Sequence, residues 1–160
     1  MKLSQILSFK PIRFILSAFN TETLNHLTGL DPWVDGNLAE FSTFSGNVGN
    51  GPVTMLHLLK FKELSLDGNA TVQEQFVLYG DAVNPLIQVH GGEMVFLGAA
   101  GEHLIGDTNY DWDAVVMVKW PDRQNLLDLV NDEAYQAIGH LRTNRLERAM
   151  LIALDVQSLK

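Results

Sequence analysis

From residue 53 onward the apolar positions switch between a strand-like and a helix-like period. Val53 to Lys62 is apolar at nearly every position except His57 and the closing lysines, which predicts a strand. Thr71 followed by Glu74 forms a capping box. It opens a helix whose inner face carries Phe76, Tyr79, Val83, Leu86, Ile87 and His90. Gly91-Gly92 end that helix, and Pro85 inside it predicts a kink or a loosened turn around Asp81. Glu93 to Ala99 reads as a second strand, continuing past a Gly-rich bulge to His103–Gly106, and Trp112 to Trp120 as a third. Asp122 caps a short helix with Leu126, Leu127 and Val130. Asp132 caps the next, with Tyr135, Ile138, Leu141 and Arg142 at helical spacing and Arg145 and Arg148 following at three-residue steps. Ala149 to Val156 is the last strand.

The order β-α-β-β-α-β predicts an α+β, ferredoxin-like fold: a four-stranded antiparallel sheet with both helices on one face. The other face is apolar as well. Val115 and Met117 oppose Trp112, Ala114, Val116, Val118 and Trp120 on the third strand, and Met150, Ile152 and Leu154 oppose Leu151 and Ala153 on the last. Helices cover one face only, so a second subunit or the N-terminal segment is expected on the other.

The first fifty residues are organised differently. Ile12, Ile15, Leu16 and Phe19, then Leu24, Leu27 and Leu30, predict two short helices with one good apolar face. Asn37 to Pro52, with Gly46, Gly49 and Gly51, reads as a linker. It is no phosphate-binding loop, because Pro52-Val53 stands where Lys-Ser/Thr is needed. The expected division is therefore a helical arm and linker over 1–50 and the ferredoxin-like domain over 51–160. Lys10, Pro11 and Arg13 interrupt the apolar run that a signal peptide or a membrane span requires, so a soluble cytoplasmic protein is expected.

Composition narrows the chemistry. Apolar residues make up 46% of the chain, enough for a sizeable core. The formal charge of −8 argues against a nucleic-acid partner. No cysteine is present, which removes disulfides, thiolate metal sites and a cysteine nucleophile. The histidines are scattered and no metal set is expected; nor does any feature call for a cofactor.

Several stretches resemble the domain-of-unknown-function family 1330 of the dimeric α/β-barrel superfamily. They are Met55-Leu56-His57-Leu58-Leu59-Lys60-Phe61, Tyr79 to Leu86, His90-Gly91-Gly92, Leu104-Ile105-Gly106-Asp107, Val115-Val116 closing on Trp120-Pro121, and Glu133-Ala134-Tyr135-Gln136 with Leu141-Arg142. Together they span about residues 52 to 156. The resemblance implies a homodimer in which two sheets face each other and close an eight-stranded barrel. His57 departs from it, since similar sequences usually carry Asn there. Relatives in the superfamily include cofactor-independent monooxygenases, haem-handling enzymes, isomerases and proteins with no known reaction, so fold analogy does not select an activity.

Six side chains are candidates for a ligand site: His57, Tyr79, His90, Trp112, Tyr135 and Arg142. Tyr79 and His90 are eleven residues apart, close to three helical turns, which puts a phenol and an imidazole on one stripe. A core tyrosine and a helix-end histidine held by the dipole account for the same pattern. His57 among Met55, Leu59 and Phe61 reads as a hydrogen-bonded core residue or as a ligand-orienting group. Arg142 follows Tyr135 by seven residues on one face, suited to a carboxylate ligand or to an ion pair with Asp111 or Glu102. The expected function is binding of a small apolar or aromatic molecule between sheet and helices. The alternatives are a cofactor-independent monooxygenase or isomerase, and an assembly protein without ligand.

Overall fold

The structure is a computed structural model that describes residues 34, 38–63 and 71–155. The two helices expected near 12–19 and 24–30 lie outside the described residues. Helix α1 (Leu38–Gly46) precedes strand β1 (Val53–Phe61), helix α2 (Val72–Val89) and strand β2 (Glu93–Ala99). Strand β3 (Ala114–Trp120), helices α3 (Arg123–Asn131) and α4 (Glu133–Thr143) and strand β4 (Leu146–Asp155) complete the order. The strands form one antiparallel sheet in the order β2-β3-β1-β4. This is the expected ferredoxin-like α+β arrangement.

Local chemistry sets the element ends. The Thr71 hydroxyl accepts from the Glu74 N–H at 3.2 Å while the Glu74 carboxylate accepts from the Thr71 N–H at 2.7 Å, a reciprocal cap on α2. Asp122 caps α3, and Asp132 caps α4 by accepting from the Ala134 N–H at 2.7 Å. Helix α2 runs through Pro85 as one 18-residue element rather than breaking. It stops at Gly91, whose φ of +80° suits glycine.

Several boundaries differ from expectation: β3 starts at Ala114 rather than Trp112, and β4 starts at Leu146 rather than Ala149. Helix α1 occupies much of the stretch read as a linker, because Phe41 and Phe44 share a helical face and Phe44 packs on the core. Strand β2 ends at Ala99, and the segment beyond it leaves Leu104 and Ile105 almost wholly exposed. Helix α4 ends at Thr143, so Arg145 and Arg148 are not on it: Arg145 lies in the following turn and Arg148 in β4. No helix among the described residues is long and apolar enough to cross a membrane.

The register sorts the side chains into two faces. Val53, Met55, His57 and Leu59 stand opposite Trp120, Val118, Val116 and Ala114, and these residues meet the helices. Tyr79, Val83 and Ile87 of α2 and Leu129 of α3 complete the buried core. The reverse face carries Leu56 and Leu58, Val115 and Met117, Phe96, and Met150, Ile152 and Leu154. The helical side chains of the core meet only the first face. Phe96 is 50% exposed, and Ile152 and Leu154 are each 37% exposed.

Gly92, just past α2, is packed closely between Ile87 of that helix and Trp120 of the sheet. A Cβ there would lie 2.7 Å from Ile87 Cγ2 and 2.7 Å from Trp120 Cζ3. Trp120 is only 2% exposed and cannot retreat. Gly92→Ala is therefore expected to lower the unfolding free energy by about 1–3 kcal/mol, the usual cost of overpacking. Gly80→Ala, inside α2 where the added Cβ meets nothing within 4 Å, is expected to gain up to ~1 kcal/mol from helix propensity. Urea denaturation of the two variants checks both signs.

Candidate functional site

Between the helix-facing side of the sheet and the helices lies a cleft of about 1190 Å³. Its walls are apolar: Met55 and Leu59, Val116 and Val118, Val83 and Ile87, and Phe41 and Phe44 from α1. Leu97 and Leu151 also line it and stay 67% and 40% exposed, so it opens toward the two edge strands.

Four of the six sequence candidates meet here: His57, Tyr79, Tyr135 and Arg142. Each is delivered by a different logic. His57 occupies the third helix-facing position of the central strand β1, between Val116 of β3 and Leu151 of β4. Tyr79 projects from the buried stripe of α2, four residues before Val83. Tyr135 and Arg142 lie seven residues apart on α4, nearly two turns.

His57 lies deep in the protein yet keeps part of its surface free, because it faces the cleft instead of packed side chains. Burial, followed by the nearby Arg142 guanidinium, lowers its pKa to about 3, so the imidazole is neutral near pH 7. Burial and the neighbouring Tyr135 push the Tyr79 phenol up, and Tyr135 is its hydrogen-bond partner. Arg142 Nη1 donates to the Val34 carbonyl at 3.0 Å. The expected pairing of Arg142 with Asp111 or Glu102 does not occur, since Asp111 is held by Lys60 at 2.5 Å and by Arg148 at 3.0 Å.

The other two candidates stand elsewhere. His90 caps the end of α2, and its Nε2 lies 2.8 Å from Asp132 Oδ2, across to the start of α4. The cap binds α2 to α4 and turns the imidazole away from the Tyr79 stripe. Trp112 precedes β3 and lies under the Arg148 guanidinium, 5.4 Å from the ring centroid. Next to it, Asp113 accepts from Lys60 at 3.1 Å and from the Phe61 N–H at 2.7 Å. Among the described residues no group of three metal-ligating side chains exists.

Sequence reasoning missed three contributors, Phe41, Phe44 and Arg123. Phe41 and Phe44 were signalled only by their three-residue spacing, outweighed by the glycines and asparagines that follow. Arg123 is 5% exposed, pairs with Asp155 and lies over the Phe44 ring, 5.4 Å from its centroid. No local pattern announces that pair, because the register of β4 against β1 brings Asp155 to the start of α3.

Fold and cleft together define a ferredoxin-like α+β domain with an internal apolar site. The profile of the family described as "Domain of unknown function (DUF1330)" matches residues 67–156, and the chain belongs to that family. A protein of unknown function from Rhodopseudomonas palustris, RPA0582, has a similar solved structure with 26% sequence identity and a TM-score of 0.69. The likeness covers 79% of this chain and 98% of that one. A Dabb family protein with a ferredoxin-like fold from Mesorhizobium loti is 14% identical with a TM-score of 0.51, over 68% of this chain and 99% of its own. That likeness shows the fold alone. None of the curated proteins matches the chain.

Proposed function

We propose that the protein binds a small apolar or aromatic molecule in the cleft between sheet and helices, as a homodimer joined through the reverse face of the sheet. The observation that carries the reading is the convergence of His57, Tyr79, Tyr135 and Arg142 on one otherwise apolar cleft. A few fixed polar groups in an apolar concavity orient a ligand while its body is desolvated. Binding is favoured over acid–base catalysis by the protonation states. An imidazole with a pKa of about 3 and a phenol pushed above its ordinary range are both poor bases near pH 7, whereas both hydrogen-bond well as neutral groups. The domain over residues 51–160 then carries the four polar groups of the site, and α1 of the arm closes one wall.

Titration with 2-naphthylmethanol, followed by backbone NMR, tests the reading. Saturable shifts are expected at Met55, Tyr79, Val83 and Val116. Tyr79→Phe removes one hydroxyl and keeps the packing, so stability should stay within about 1.5 kcal/mol and affinity should fall roughly two- to tenfold, the worth of one hydrogen bond. Absence of saturable binding, or shifts confined to the reverse face of the sheet, would overturn it.

A further inference from the structure

Among the described residues, Arg142 is the cation on the cleft wall that is paired with no acid. Arg123 reaches the same cleft but is neutralised by Asp155. Lys60 is held by Asp111 and Asp113, and Arg148 by Asp111 and Glu147. Among the described residues no carboxylate pairs with Arg142, and its one hydrogen-bond acceptor is the neutral carbonyl of Val34. A guanidinium carries five N–H donors, and among the described residues Val34 takes one of them.

The groups around it are donors too. The Tyr79 and Tyr135 hydroxyls bond to each other, which leaves one hydrogen of the pair for an acceptor, and the neutral His57 ring presents another. The acids that line the cleft, Glu40 and Asp81, are exposed and stand at its rim. Half-buried positive charge, two further donors and apolar walls make up a recognition pattern for an anion with a hydrophobic body. The net charge of −8 opposes an anion only weakly, because charges more than about 8 Å apart are screened at physiological salt.

We propose that the ligand of this cleft is an apolar or aromatic carboxylate, its anionic group paired with Arg142 and its body among Met55, Val83, Val116 and Phe44. The assignment rests on the binding reading above and adds the ligand's charge to it. No covalent step is involved.

The test compares 2-naphthoate with 2-naphthylmethanol, two probes of like shape that differ in charge, by calorimetry on the full chain. The carboxylate is expected to bind about tenfold or more tightly than the alcohol, in line with charge-assisted hydrogen bonding. Arg142→Gln should erase that preference, weakening the carboxylate about tenfold or more and the alcohol far less, and Arg142→Lys should retain part of it. A melting curve for each variant reports whether it is folded; if Arg142→Gln does not fold, a preference in Arg142→Lys lowered from wild type decides in its place. If the alcohol binds in the cleft as tightly as the carboxylate, the anionic assignment is wrong and the binding reading stands. If neither probe binds, both are wrong.

Discussion

Leu56→Glu is expected to convert a dimer into a folded monomer. Leu56 lies on the reverse face of the central strand, opposite Met117 on one side and Ile152 on the other. The face around it is apolar across all four strands, and the helical side chains of the core do not cover it. If two copies pack sheet to sheet, two-fold symmetry places both glutamates in the interface. An unpaired buried carboxylate costs several kcal/mol, and the dimer carries two. The separate chains carry the same glutamate on a face open to water, so their fold is preserved. Light scattering at micromolar concentration should give twice the chain mass for wild type and the chain mass for Leu56→Glu, with the circular dichroism unchanged. Wild type at the mass of one chain would overturn the dimer and assign the covering of this face to residues 1–50.

How much of this was legible in the sequence depends on the range of the interaction concerned. Capping is local, so Thr71 with Glu74, Asp122 and Asp132 each announced a helix start that the structure contains. Strand alternation is local as well, and it separated the two faces of the sheet before any register was known. The failures lie where a local signal competed with a distant one. Glycines and asparagines hid the short α1, which is held by packing of Phe44 on the core and by Arg123. The helical spacing from Tyr135 to Arg142 was extended to Arg148, although Leu146, 0% exposed, already belongs to the sheet. His90 shares a helical period with Tyr79, yet its partner is 42 residues away in sequence, and a single contact with Asp132 decides where its ring goes. The cleft quartet was readable as four separate candidates. Their convergence was not, because it needs the packing of α4 against α2 and the sheet.

His57 makes stability depend on pH in a window of its own. Its pKa is about 3 in the folded chain against an ordinary 6.5. Below pH 6.5 the unfolded chain takes up a proton that the folded chain refuses until about pH 3, so stability is full above 6.5 and falls as the pH drops toward 3. The limiting slope is roughly 1.4 kcal/mol per pH unit for one such group. Carboxylates act in the same direction but lower on the scale. Asp111, held by Lys60, and Asp132, held by His90, are both lowered from the ordinary 3.8, so their contributions disappear below that value. Between pH 4.5 and 6.5 the difference between wild type and a variant without this imidazole therefore isolates His57. His57→Asn is the variant of choice: it keeps a polar group of similar size facing the cleft and Arg142, and it removes the titration. Urea midpoints converted to free energy should fall steeply for wild type across that window and be much flatter for His57→Asn. Parallel curves for the two proteins would mean that the ring accepts a proton in the folded chain, and that the cleft around Arg142 is wetter than its apolar walls imply.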